Sequence, residues 1–192
     1  MKKSKFESYL AEQLENHLSA NTVEIEQKYR IKDPQPIRQR LRKLGAKKGI
    51  AGTEHNELFD IENTLRKRKQ ILRLRYHGKE KAWLTFKGPR QKGAIKRRME
   101  IETPVFYEPT KRILELLGYR VIASYRKYRE EYELTDGKVC LDHLPGCGWF
   151  VEIEGKVRAI HRIARLLQLE KDAKEHRSYR KLLRERPAAV IS

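Results

Sequence analysis

Cysteine is scarce in this chain and badly spaced for either of its structural uses. Cys140 and Cys147 form no CxxC pair and have no His or Cys companion at zinc-finger spacing, which argues against a structural zinc site. Two thiols in 192 residues build no disulfide scaffold, so both are expected to be reduced. Long apolar runs are missing too: nothing approaches the roughly 20 residues that span a bilayer. Residues 1–20 carry lysines but lack the apolar stretch of a signal peptide. A cytoplasmic location without a membrane partner is therefore the default expectation. There is no low-complexity linker to divide the chain and no Gly-x-x-x-x-Gly-Lys loop to cradle a phosphate. No Ser/His/Asp order stands out, and His77 and His143 read as surface or loop histidines. Acidic residues are outnumbered, 26 against 44 Lys and Arg, leaving a formal charge of +18. Such an excess favours an anionic partner: nucleic acid, a phosphorylated small molecule or an acidic surface.

What is present is a succession of alternating segments. Residues 1–20 read as a helix, with Phe6, Leu10, Leu14 and Leu18 four apart. Val23–Ile31 alternates as a strand does. Pro34 and Pro36 open a helix that Gly45 closes, and an extended run follows to about Asp60. Ile71–His77 and Lys81–Lys87 read as a hairpin turning at Gly78. Ala94–Thr103 alternates again, Pro109–Leu117 reads as a helix, and Tyr119–Thr135 as a long strand or a bent pair. Asp136-Gly137 turns into Lys138–Asp142, Trp149–Glu154 follows, and residues 156–186 read as helical. Hairpins outnumber βαβ alternations, so the expected class is α+β, an antiparallel sheet or barrel with helices packed outside. One domain over 21–186, preceded by a helical extension at 1–20, is the expected organisation.

Sorting each strand into its two faces separates charge from apolar residues. Glu24, Glu26, Lys28 and Arg30 share a face against Val23, Ile25, Tyr29 and Ile31. Arg73, Arg75 and His77 oppose Leu72, Leu74 and Tyr76. Lys96, Arg98, Glu100 and Glu102 oppose Ile95, Met99 and Ile101, and Glu152 and Glu154 oppose Trp149, Val151 and Ile153. Lys127 and Arg129 lie in phase. A single charged face commonly meets water. Three Glu-x-Glu pairs in phase with basic strands, backed by apolar faces that need helical cover, describe instead a barrel with a polar interior. Arginine and lysine suit phosphate oxygens, and paired carboxylates are hard donors for Mg²⁺ or Mn²⁺.

These residues resemble the CYTH superfamily, the triphosphate tunnel metalloenzymes, which include class IV adenylyl cyclases and thiamine triphosphatases. Glu24-Ile-Glu26-Gln-Lys28 is similar to the family's opening motif. Leu-Arg73-Leu-Arg75, Thr85-Phe-Lys87-Gly-Pro, Arg98-Met-Glu100-Ile-Glu102, Lys127-Tyr-Arg129, Leu141-Asp142, Phe150-Val-Glu152-Ile-Glu154 and Arg177-Ser-Tyr179 follow in order over roughly 22–183. The resemblance implies a closed eight-stranded antiparallel barrel. It implies that Glu24, Glu26, Asp142, Glu152 and Glu154 ligate one or two divalent metals. Lys28, Arg73, Arg75, Lys87, Arg98, Lys127 and Arg129 would hold a triphosphate, with Lys87, Glu100 and Glu102 at the chemistry. Leu58 stands where an aromatic is usual, and residues 1–20 are extra.

The implied activity is phosphoryl transfer on inorganic triphosphate, thiamine triphosphate or a nucleoside triphosphate such as ATP, with hydrolysis preferred. The alternatives are cyclisation of ATP to cyclic AMP and pyrophosphate, which the Leu141-Asp-His-Leu-Pro-Gly and Arg177-Ser-Tyr179 segments favour, and a non-catalytic RNA- or polyphosphate-binding protein. Nucleic acid ranks second as a partner, and monomer and homodimer both stay open.

Overall fold

The computed structural model describes residues 23–77, 81–170 and 173–185. The proposed helix at 1–20 and the turn at Gly78 lie outside them. Eight strands are present: β1 (Val23–Ile31), β2 (Lys47–Asp60), β3 (Ile71–His77), β4 (Lys81–Lys87), β5 (Lys96–Val105), β6 (Arg120–Leu134), β7 (Gly137–Leu144) and β8 (Gly148–Gly155). They close into an antiparallel barrel in the order β1-β5-β4-β3-β2-β6-β7-β8. The helices of the described residues are α1 (Gln35–Lys43), α2 (Thr64–Lys67), α3 (Tyr107–Leu116), α4 (Val157–Leu166) and α5 (Tyr179–Glu185). None is long and apolar enough to cross a membrane.

The chain divides into two compact units, each assembled from separate segments. Of the described residues, the first comprises Val23 and residues 56–77, 81–90 and 98–124; the second comprises residues 24–55, 91–97, 125–170 and 173–185. In the first, Phe59, Leu74, Ala82 and Leu114 form the buried core, with Leu72, Tyr76, Leu84 and Tyr107 packed against it. The alternation of β3 and β4 is the cause, since one side of each strand is apolar and the other is not.

The second unit holds the larger core. Tyr29, Tyr132, Val139, Leu141, Val151 and Ile153 of the strands meet Ile37 and Leu41 of α1 and Ile160, Ile163 and Leu167 at α4. The α4 residues recur at helical spacing, so one stripe is buried while Arg158, Arg162 and Arg165 stay exposed. A two-residue turn joins β6 to β7, with Leu134 opposite Gly137. Gly137 faces Gly155 across β7 and β8. A Cβ on Gly137 would stand 2.8 Å from the Glu154 carbonyl oxygen and from Ile163 Cδ1, so only glycine lets α4 settle this close. A third cluster gathers Leu144, Phe150, Tyr179 and Leu182, which ties α5 to β7 and β8.

Two expectations need correction. Residues 156–186 are not one helical stretch: α4 stops at Leu166, Gln168 takes a left-handed φ of 53°, and Lys174 and Glu175 lie against β1. There a bridge pairs Tyr29 with Lys174, and the Glu175 amide donates to the Lys28 carbonyl oxygen at 2.9 Å. Backbone pairing with a strand wins over helical propensity in this segment. Among the described residues helical cover of the apolar faces is also incomplete, because Met99 and Ile101 on β5 stay exposed. In α3, Leu114 is buried, whereas Ile113, and Leu117 just past its end, are exposed.

Candidate active site

In the second unit, β1, β6, β7 and β8 each present charged residues at alternate positions. The β1–β8 register sets Glu26 opposite Glu154 and Lys28 opposite Glu152, and β6–β7 sets Arg129 opposite Asp142. Asp142 is fully buried. Its Oδ1 accepts from Arg129 Nε at 2.7 Å, while Oδ2 accepts from Arg129 Nη2 at 2.7 Å, Lys127 Nζ at 3.0 Å and the Tyr179 hydroxyl at 2.6 Å. Arg129 reaches on to Glu152 at 2.5 Å, and Glu152 pairs with Lys28 at 3.2 Å. Glu54 of β2, wholly buried, lies 3.2 Å from Lys127. Three cations thus interlock with three carboxylates, as buried charges require. Burial works against the ionised Glu152, yet Lys28, Lys127 and Arg129 hold its carboxyl well below the usual range. Burial also pulls the Lys28 ammonium down, opposed by Glu152 and Glu26.

Beside this network Glu24, Glu26 and Glu154 each turn one carboxylate oxygen into a group spanning no more than 4.8 Å. Glu154 is pushed up by burial, and Glu24 and Glu26 push it further, against Lys138 and Arg129. Glu26 accepts from Lys96 Nζ at 2.9 Å. Three hard oxygens drawn together at such an electrostatic cost fit a divalent cation, which would offset their repulsion. Asp142 and Glu152, grouped with these as ligands on the resemblance, are engaged with lysine and arginine.

The first unit carries a second charged group on β3, β4 and β5. The registers align Arg73 with Thr85 and Thr85 with Glu102, then Lys87 with Glu100. Glu102 accepts from Arg75 at 2.6 Å, from Arg73 at 3.3 Å and from the Thr85 hydroxyl at 2.6 Å. Lys87 Nζ lies 2.5 Å from Glu100. Burial alone would raise the Glu102 carboxyl; Arg75 and Arg73 hold it at about 2. Arg98 is buried on β5, in phase with Glu100 and Glu102.

All fourteen residues read from the sequence thus fall into two groups, Glu24, Glu26, Lys28, Lys127, Arg129, Asp142, Glu152 and Glu154 in one unit and Arg73, Arg75, Lys87, Arg98, Glu100 and Glu102 in the other. Sequence reasoning left Glu54 out altogether, and quoted Thr85 and Tyr179 within motifs without giving either a site role. Glu54 shares its phase with the buried Asn56 on β2, the one signal available, and a polar pair in a long extended run reads as solvated. Besides donating to Asp142, Tyr179 sets its ring 3.5 Å from Lys28 Nζ and 4.9 Å from Lys127 Nζ. Burial pushes its hydroxyl pKa up, and Asp142 adds to the shift.

The model of the CYTH domain family matches residues 22–181. The chain belongs to that family. A Methanocaldococcus jannaschii protein named "Putative adenylate cyclase" is 29% identical over 148 residues, covering 76% of this chain and 84% of its own. The structure of a "putative adenylate cyclase" from Vibrio parahaemolyticus superposes with a TM-score of 0.77 at 24% identity, covering 86% of this chain and 99% of that one. A Hippeastrum protein described as a "putative adenylyl cyclase" with a dominant triphosphatase activity superposes with a TM-score of 0.62 at 16% identity, covering 84% and 95%. At these identities the structural likenesses show the fold alone. As a CYTH-type enzyme the chain serves phosphoryl transfer on a triphosphate. Metal dependence belongs to the family, and the Glu24, Glu26 and Glu154 group suits it.

Proposed function

We propose that this CYTH enzyme hydrolyses a triphosphate at its terminal phosphoanhydride with Mg²⁺ or Mn²⁺. The observation that carries the reading is the Glu24, Glu26 and Glu154 group, its oxygens within 4.8 Å of one another and Glu154 raised by burial, with Glu24 and Glu26 adding to the shift. A divalent ion held there supplies positive charge to phosphate oxygens. Lys28, Lys127 and Arg129 bind and orient phosphate from the same unit, and Arg73, Arg75, Lys87 and Arg98 offer further donors. Glu102 and Thr85 hold Arg73 and Arg75 in place, and Glu100 does the same for Lys87. Asp142 and Glu152 act as organisers of the cations rather than as metal ligands. In the reaction a water oxygen bonds to the terminal phosphorus and the bridging P–O bond breaks. Orthophosphate and a diphosphate leave, with one proton released to solvent or to a carboxylate.

Cyclisation of ATP is the second reading, favoured by the names of the Methanocaldococcus jannaschii and Vibrio parahaemolyticus proteins. Product analysis separates them. Inorganic triphosphate, thiamine triphosphate and ATP are each incubated with Mg²⁺ or Mn²⁺, and orthophosphate, pyrophosphate and cyclic AMP are measured. Orthophosphate release that chelation abolishes supports hydrolysis, and pyrophosphate with cyclic AMP supports the second reading. Neither product from any substrate would refute both. We further read the protein as cytoplasmic, with residues 21–186 as the catalytic domain; turnover retained after removal of residues 1–20 is the check on that boundary.

A further inference from the structure

The charged face of β3 and β4 in the first unit ends in an aromatic step. Along β4 the residues of that face are Lys87, Thr85 and Trp83, and along β3 they are Arg73, Arg75 and His77. The opposite face, with Ala82, Leu84, Leu72, Leu74 and Tyr76, supplies the unit's apolar core. Trp83 is only 6% exposed, yet among the described residues it belongs to none of the three apolar clusters. It lies on the side of the sheet given to phosphate chemistry.

Its surroundings are those of a stacking platform. The Arg75 guanidinium lies over the ring, 5.2 Å from its centroid, so the indole already takes a planar partner on its face. His77 meets it edge-on at 5.8 Å and 89°. On β5 the residue opposite Trp83 is Pro104, whereas Glu102 and Glu100 stand opposite Thr85 and Lys87. Carboxylates on β5 therefore line the Thr85 and Lys87 levels, whereas the Trp83 level, where Arg75 is the β3 partner, has a flat apolar ring in their place. The step from Arg73 and Thr85 to Trp83 is two residues, about 7 Å along a strand. A pentose or similarly short linker spans that distance between a phosphate and a heterocycle.

We propose that Trp83, flanked by His77 and Pro104, receives the aromatic heterocycle of a triphosphate ester, making such an ester the preferred substrate over inorganic triphosphate. The inference rests on the triphosphate reading above. ATP and thiamine triphosphate share the required chemistry, phosphates on a short linker to a stackable ring, and the test includes both.

The sequence contains two tryptophans, Trp83 and Trp149. Trp149 packs beside His143 and Tyr128 in the other unit, which makes Trp149→Phe a suitable background for reading Trp83 emission alone. In that background the non-hydrolysable β,γ-imido analogue of ATP should change Trp83 emission at saturation, and inorganic imidotriphosphate should leave it near its starting value. Thiamine triphosphate, followed on rapid mixing, distinguishes the two heterocycles. Trp83→Leu should lower the ratio of kcat/KM for the preferred ester to that for inorganic triphosphate by roughly 5- to 150-fold, the range expected for one stacked ring. Trp83→Phe should recover most of that ratio and guards against a variant that merely misfolds. Equal emission changes with both imido analogues, or a Trp83→Leu loss in the same proportion for ester and inorganic triphosphate, would overturn the proposal. A wild type that turns over inorganic triphosphate and no ester overturns it while leaving the hydrolysis reading intact. A wild type that turns over none of the three removes both.

Discussion

Substituting Asp142 by asparagine tests whether the second unit is held by its charge network. The amide keeps the shape of the carboxylate and removes one acceptor and one negative charge. In the wild type Oδ1 accepts one hydrogen bond, and Oδ2 accepts from Arg129, Lys127 and Tyr179. Whichever way the amide is turned, its NH₂ group faces at least one donor, and in one orientation it faces three. Nothing at this depth lets water repair the mismatch, since Asp142 is fully buried and Lys127 is 2% exposed. Three cations are also left against two carboxylates. Breaking a buried pair from one side costs about 3–5 kcal/mol. For a protein of this length that is roughly 6–20 °C in Tm. The assay is urea unfolding followed by circular dichroism, with Glu185→Gln as the control. Glu185 pairs with Lys181 at the surface, both side chains more than 40% exposed, and its loss is expected to cost under about 1 kcal/mol. Adding Lys127→Met to Asp142→Asn restores the balance of charge and should recover part of the loss. An Asp142→Asn cost no larger than the control, or a double variant less stable than the sum of its parts, would refute the reasoning.

Glu154→Gln and Glu24→Gln should each raise the Mg²⁺ concentration needed for half-maximal turnover at least about tenfold while the fold survives, because each removes a charged oxygen from the metal group; turnover unchanged at limiting Mg²⁺ would count against that group. The Glu102 carboxyl, held at about 2 against an ordinary value near 4.3, contributes stability that is complete above about pH 4.5 and is lost as pH falls toward 2. That contribution is on the order of 3 kcal/mol, and Glu102→Gln should flatten this part of the profile; matching acid slopes in the two proteins would contradict it. Inorganic triphosphate should raise the Tm far more than orthophosphate at equal concentration, and equal shifts would argue against a polyphosphate site.

The barrel was legible because its strands keep strict two-residue alternation with charge on one side. Glu24, Glu26 and Lys28 announce a polar interior as soon as Ile25 and Tyr29 are seen to need cover, and the structure places Tyr29 in the core. Residues on short-period strands could therefore be assigned to a face by counting. Pairing was beyond that method. Asp142 and Glu152 look like metal ligands in a list of carboxylates, and only the β6–β7 and β1–β8 registers reveal that Arg129 and Lys28 reach them. Tyr179 was hidden for another reason: its part depends on Lys174 and Glu175 pairing with β1, and a lysine- and arginine-rich segment gives no sign of that. The exposed Met99 and Ile101 show the converse, since alternation gives the face of a residue but not what covers it.

The same pairing bears on how substrate enters. Lys28, Lys127 and Arg129 are not waiting with free charge, because Glu54, Asp142 and Glu152 already answer them. A triphosphate arriving alone would bring several negative charges against these carboxylates and against Glu24, Glu26 and Glu154, paying in repulsion for each new contact. A divalent ion at the Glu24, Glu26 and Glu154 group reverses that local charge. Metal and triphosphate should therefore bind with positive coupling, and linkage makes the effect reciprocal. Titration calorimetry on Glu100→Gln, chosen to slow turnover, would measure triphosphate affinity with and without Mg²⁺, corrected for the metal that triphosphate binds in solution. A gain of roughly 5- to 150-fold is expected, the usual range of such coupling. Glu154→Gln added to that variant should shrink the gain by weakening the metal site. Equal affinity with and without the ion would mean that the basic residues give up their carboxylate partners unaided, and the network around Asp142 would then be a reservoir of exchangeable pairs rather than a fixed frame.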